Sequence, residues 1–134
     1  MSEIIVLDTH IWLWLVNANF DRFPSSWLSQ FEQASRLAVS PLSCYEIALA
    51  QQRGRLELDS TPDEWFEQAL LLANIELLPL TSAIAIRSVK LSPIHKDPFD
   101  RLIIATALEY GAKLASIDGF FSQYPELENC LLKP

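Results

Sequence analysis

Hydrophobic and polar positions along the chain mark out an alternation of short and long segments. Glu3 to Leu7, Leu37 to Ser40, Ile75 to Leu78 and Lys113 to Ile117 are short apolar runs that predict strands. Between them lie segments that predict helices: Thr9 to Val16, Ser25 to Ser35, Ser40 to Gln52, Thr61 to Ala73, Thr81 to Lys90 and Pro98 to Tyr110. The first of these is apolar nearly all round, as a buried helix would be, and Gly54, Pro79 and Gly111 punctuate the pattern. Residues 17 to 24 read as a loop, and Asn129 to Leu132 as a short final strand. Strands separated by helices indicate βαβ units, so the expected fold is an α/β three-layer sandwich around a mostly parallel sheet of roughly five strands.

The 134 residues suit a single domain, 1–134, and the 50% hydrophobic content excludes a disordered chain. The longest apolar stretches, such as Ile11 to Val16 and Ala69 to Ala73, are far shorter than the roughly 20 residues that span a bilayer. Met1-Ser2-Glu3 is acidic and unlike a leader, so the chain reads as cytoplasmic, with no membrane partner. Cys44 and Cys130 lack the spacing of a zinc site or a disulfide framework and read as small buried apolar residues. Three glycines, none close together, exclude dinucleotide and P-loop signatures. The net charge of −7 argues against a broad basic surface for nucleic acid.

Charge matters more when the acids are placed on this map. Asp8 and Asp118 stand at the C-terminal ends of predicted strands, the edge at which open parallel sheets bind ligands. Glu46 and Asp100 lie in first turns of predicted helices. Four carboxylates converging there would need a cation, and all-oxygen donors suit Mg²⁺ or Mn²⁺. Helix capping competes with this reading. Ser43 to Glu46 fits a capping box, although Ser40 before Pro41 is an equally good helix start, and Asp97-Pro98-Phe99-Asp100 has the same grammar. Thr61-Pro62-Asp63-Glu64 is such a box with no chemistry nearby. Glu46 and Asp100 therefore stay open between cap and ligand, whereas Asp8 and Asp118 favour function. His10 and His95 stand out only through their positions beside Asp8 and Asp97.

Four blocks carry a resemblance: Asp8-Thr9-His10; Ser43 to Ala48 with Gly54-Arg55-Leu56; His95 to Ala105; and Leu114 to Asp118 with Phe121 and Tyr124. Together they resemble the motifs of PIN-domain ribonucleases, above all VapC-like toxins of type II toxin-antitoxin systems in the branch carrying HxDPFDR. The resemblance implies a metal-dependent endoribonuclease that cuts single-stranded RNA, with Mg²⁺ or Mn²⁺ as cofactor. It implies Asp8, Glu46, Asp100 and Asp118 as the catalytic, metal-holding acids. Ser116 stands where the family has Thr or Ser, touching water or phosphate. Thr9, His10, His95, Asp97 and Arg101 are implied as supporting residues, Asp97 as N-cap or outer contact. Ala50 and Ser92 depart from the family's usual Lys and Pro.

The implied partners are RNA, a second copy of the chain and a small inhibitory antitoxin protein. Trp12, Trp14, Trp27, Trp65 and Phe66 are more than a small core needs but read mostly as core, and residues near Trp12 to Trp14, Trp27 to Phe31 and Trp65 to Leu72 are candidates for exposed apolar patches. Metal-free protein is expected to bind RNA poorly, and binding to draw on Arg53, Arg55, Lys96 and Arg101. Two other classes are a catalytically silent PIN-fold binding module, disfavoured because all four acids are present, and a receiver or phosphatase domain. The phosphatase would want Asp-x-Asp where Asp8-Thr9-His10 stands. The receiver would want an acceptor Asp where Ser40 or Pro79 ends a middle strand.

Overall fold

A computed structural model describes residues 3–134; Met1 and Ser2, part of the stretch read as unlike a leader, lie outside the described residues. The predicted strands form one parallel sheet in the order β3-β2-β1-β4, with β1 at Ile4–Leu7, β2 at Arg36–Val39, β3 at Ile75–Leu77 and β4 at Lys113–Ala115. Val6 sits level with Ala38 on one side and Leu114 on the other. The expected fifth strand is reduced to one parallel bridge, Leu114 to Leu131, with Leu114 N–H donating to Cys130 O and Leu132 N–H to Leu114 O.

Alternation along the strands divides the core in two. Ile5, Leu7, Val39 and Ala115 face one cluster with Trp12, Trp27 and Ile47. Val6, Ala38 and Leu114 face the other with Ile103, Ile104 and Phe121. Helices α1 (Thr9–Val16), α2 (Trp27–Gln33), α3 (Pro41–Gln52) and α4 (Pro62–Glu67) contribute to the first cluster, and α6 (Pro98–Glu109) to the second, against which α5 (Ser82–Lys90) packs through α6. The sandwich is thus the expected one. Among the described residues no helix is long and apolar enough to cross a membrane. Cys44 and Cys130 are free thiols, half-buried rather than enclosed.

Two further expectations are corrected. The strand predicted to run to Ile117 ends at Ala115, so Asp118 sits three residues beyond the sheet, in a loop. The helix predicted over Thr61 to Ala73 changes at Gln68 into a π-turn, Gln68–Leu72, closed by Ala73 N–H to Gln68 O. A tertiary contact accounts for the break: the buried Trp12 indole N–H takes the Ala69 carbonyl at 3.1 Å. The aromatics of the candidate patches are mostly interior, in line with their reading as core. Trp12, Trp27, Phe31 and Trp65 are buried, leaving Leu71 (74% exposed) and Leu72 (73%) as the outward apolar residues there.

Trp12→Phe would lose buried surface and leave the Ala69 carbonyl without its donor. The expected cost is about 2–3 kcal/mol in urea unfolding; an unchanged midpoint would show that the indole bond does not hold the π-turn.

Candidate active site

The strand order fixes where a site can form. The chain leaves β1 toward β2 and returns on the opposite flank as β4, so a crevice opens beyond the C-terminal ends of these two strands. Asp8 follows β1 directly, and its N–H donates to Ala115 O at 3.0 Å, tying the two strand ends together. Its Oδ1 accepts from Thr9 N–H (2.9 Å) as N-cap of α1, and its Oδ2 accepts from the Ser116 hydroxyl (2.8 Å). Ser116 Oγ in turn accepts from Asp118 N–H (3.1 Å), and Asp118 Oδ1 accepts from Phe120 N–H (2.9 Å). Asp118 therefore reaches the site from a loop that its own carboxylate folds.

The ambiguity over Glu46 is resolved by the helix start. Ser40 caps α3, its Oγ accepting from Leu42 N–H, with Pro41 as the first residue. Glu46 lies beyond the first turn and has no capping duty. Its Oε1 accepts from the Thr9 hydroxyl at 2.8 Å, and the buried Ser43 hydroxyl lies 2.8 Å from Thr9 Oγ1. Thr9 thus joins α1 to α3.

Asp97 is the N-cap of α6, accepting from Phe99 and Asp100 N–H groups. Asp100, the other open case, turns Oδ2 toward His95 Nε2 at 3.1 Å. His95 Nδ1 meets the Tyr124 hydroxyl at 2.6 Å, and Phe120 stacks on the imidazole. Arg101 corrects an expectation: its guanidinium donates to the carbonyls of Leu91, Ser92 and His95 and to the Tyr124 hydroxyl, so it supports the loop and is not a free cation for phosphate. Arg53, Arg55 and Lys96 are exposed. His10 is exposed on α1 against Trp14, apart from this network. In the sequence Ser43 reads only as a candidate cap and part of a motif block, and Tyr124 only as part of a motif block. Neither a threonine 34 residues from its serine partner nor a tyrosine 29 residues from its histidine leaves a local signal.

The acids act on one another. Burial pushes Glu46 up to about 7, reinforced by the charges of Asp8, Asp100 and Asp97 against the Thr9 hydrogen bond. Burial likewise pushes Asp100 up to about 6, with Asp97, Asp8 and Asp118 adding to it and His95 opposing. Asp8 is raised by burial and by Asp118, against bonds from Ser116 and Thr9 and the charge of His10. All four predicted acids are therefore within electrostatic range. As they stand, no three His, Cys, Asp or Glu side chains among the described residues are arranged to hold a metal ion. The donor set is nonetheless all oxygen, and its mutual repulsion is what a divalent cation would relieve.

The PIN domain family model matches residues 5–127. The chain belongs to the PIN-domain family. Over 115 residues, 85% of this PIN domain and 86% of its relative, it is 32% identical to ribonuclease VapC22 of Mycobacterium tuberculosis. Its fold is similar to a chain in the crystal structure of VapBC2 from Rickettsia felis bound to a promoter DNA fragment, with TM-score 0.68, 18% identity and 97% of each chain covered. It is also similar to a chain of the DNA-bound VapBC from Salmonella typhimurium, with TM-score 0.60, 17% identity and coverage of 97% and 93%.

Raised carboxylates make this PIN domain's stability depend on pH. Between the ordinary range near 4.5 and the folded value near 7, the folded state holds protons that the unfolded state has released. Metal-free protein is therefore expected to lose a few degrees of Tm as pH rises from 5 to 7.5, and Glu46→Gln to flatten that slope. A melting series with equal slopes for both proteins would contradict the arrangement.

Proposed function

We propose that the chain is a metal-dependent endoribonuclease of the VapC kind, in the HxDPFDR branch, acting as the toxin of a toxin-antitoxin pair in the cytoplasm. The single observation that carries this reading is the gathering of Asp8, Glu46, Asp100 and Asp118 at the β1–β4 crevice, where three of them are driven toward protonation. Similarity to ribonuclease VapC22 along most of both chains supports the same reaction class.

Asp8, Asp100 and Asp118 would hold one or two Mg²⁺ or Mn²⁺ ions, with Glu46 joining directly or through water. When bound, such ions activate water for attack and neutralise charge at the phosphodiester. The side chains of the domain do the positioning. Ser116 and the Thr9 amide fix both oxygens of Asp8, and Thr9 holds Oε1 of Glu46, leaving Oε2 to accept a proton from the attacking water. Water attack gives 5′-phosphate and 3′-hydroxyl ends.

The acidic chain has another means of holding RNA. Tyr45 (52% exposed) precedes Glu46 and packs on Phe99, which precedes Asp100, and Phe120 (47% exposed) follows Asp118 by two residues. These rings flank the acids and offer stacking faces to unpaired bases, an attraction independent of a basic groove. Arg53, Arg55 and Lys96 would add phosphate contacts. A second copy of the chain and an antitoxin are the protein partners. An apolar groove of about 440 Å³ lined by Leu15, Val16, Leu37, Leu72 and Ile75 would receive a hydrophobic antitoxin segment. A chain of similar fold from Klebsiella pneumoniae belongs to a toxin-antitoxin complex, which supports such a partner.

Single-stranded RNA should be cut in Mn²⁺, left intact in EDTA, and cut at least roughly 100-fold more slowly by Asp8→Asn. Cleavage that survives both chelation and substitution would refute the metal-dependent reading. Tyr45→Ala is expected to raise KM about tenfold with little change in kcat; a fall in kcat alone would remove the stacking role.

A further inference from the structure

We infer that Tyr124 and Arg101 fix the tautomer of His95 and thereby orient Asp100, making Tyr124 a positioning residue that acts on the site through the imidazole. The hydrogen-bond geometry stands by itself; only the consequence at Asp100 rests on the metal-dependent reading.

Donor and acceptor bookkeeping decides the direction of each bond. A guanidinium has N–H donors and no acceptor, and Arg101 Nη1 shares its two hydrogens among the Ser92 and His95 carbonyls and the Tyr124 hydroxyl. Arg101 Nη1 lies 3.2 Å from the Tyr124 hydroxyl, so the hydroxyl accepts there. Tyr124 is 1% exposed, and its own proton needs an acceptor inside the protein. The atom in place is His95 Nδ1, at 2.6 Å. Were Nδ1 protonated, the hydroxyl would face two donors and its own O–H would be left without a partner. Nδ1 therefore accepts, Nε2 keeps the hydrogen, and Nε2–H donates to Asp100 Oδ2 at 3.1 Å. The chain of donation runs Arg101 to Tyr124 to His95 to Asp100.

Each link is held from outside. Arg101 is anchored by the carbonyls of Leu91, Ser92 and His95, and the Ser92 N–H is itself held by Glu126 at 2.7 Å. The imidazole lies against Phe120, with centroids 4.8 Å apart and planes 13° apart, so it cannot swing freely. The opposite tautomer would aim the Nε2 lone pair at Asp100 and repel its carboxylate. The inferred one fixes Oδ2 and leaves Oδ1 for a cation. The arrangement matches the way a hydrogen-bonded neighbour orients a metal-holding carboxylate, whose loss lowers metal affinity by roughly 10–100-fold.

Nitrogen-detected NMR of metal-free protein reads the tautomer directly, and with two histidines in the chain His10→Asn assigns the signals. The His95 hydrogen is expected on Nε2 with Nδ1 bare, and Tyr124→Phe to lose that single tautomer. The same variant should bind Mn²⁺ alone about tenfold more weakly by titration calorimetry, because Arg101 keeps three carbonyl acceptors and the fold. A second pair covers a variant that fails to fold: His95→Gln, which keeps an N–H donor, should bind Mn²⁺ more tightly than His95→Ala. A hydrogen on Nδ1 in the unaltered protein, Mn²⁺ affinity unchanged in folded Tyr124→Phe, or equal binding by the two His95 variants would overturn the inference. An intact relay with weakened Mn²⁺ binding in a protein that leaves RNA uncut would support the inference and count against the ribonuclease reading alone.

Discussion

Carboxylates held where they repel one another are the constraint around which this PIN domain is organised. A parallel sheet in the order β3-β2-β1-β4 opens its crevice between β1 and β4, and the chain places acids at or near the ends of both strands and on two helices that face them. Left to themselves, such groups would separate or take up protons. Here hydroxyls and one imidazole hold them: Ser116 on Asp8, Thr9 on Glu46 and His95 on Asp100. Each of these bonds favours the ionised form against burial. The site is thus strained in the direction that a divalent cation would relax.

Strain of that kind requires a rigid surround. The β1–β4 junction is closed by the Asp8 N–H bond to Ala115 O, and strand alternation seats Val6 and Leu7 in separate apolar clusters on the two sheet faces. Trp12, Trp27 and Trp65 are buried, each with its indole N–H bonded. A buried aromatic adds large apolar area while its polar edge finds a partner. These residues stabilise the shell behind the acids, as expected from their reading as core.

Local grammar made much of this legible. The βα alternation, the strand ending at Asp8, the Ser40-Pro41 start of α3 and the Asp97-Pro98 start of α6 all depend on neighbouring residues, and all appear as read, apart from the choice between Ser40 and Ser43. What depended on distant residues was not legible. The π-turn presents Ala69 O to the Trp12 indole, and just past β4 the Ser116 hydroxyl turns to Asp8, contacts between residues far apart in sequence. Arg101 resembles a phosphate cation in sequence, but the loop from Leu91 to His95 folds over it and uses its donors. The Tyr124–His95 link joins segments 29 residues apart. Spacing reports which residues share an element; it does not report which hydrogen bonds they exchange.

Charge illustrates the same difference between average and local. The net −7 argued against nucleic acid when spread over the whole surface, yet five of the 17 acidic residues are Asp8, Glu46, Asp97, Asp100 and Asp118. These acids act on one another through their charges, near the ends of β1 and β4. Anomalous scattering from crystals grown with Mn²⁺ tests this assignment most directly. The expected result is a manganese peak within bonding distance of the Asp8 and Asp100 carboxylates, at the β1–β4 crevice. No peak there, or peaks only at acids elsewhere such as Glu57 and Asp59, would contradict it.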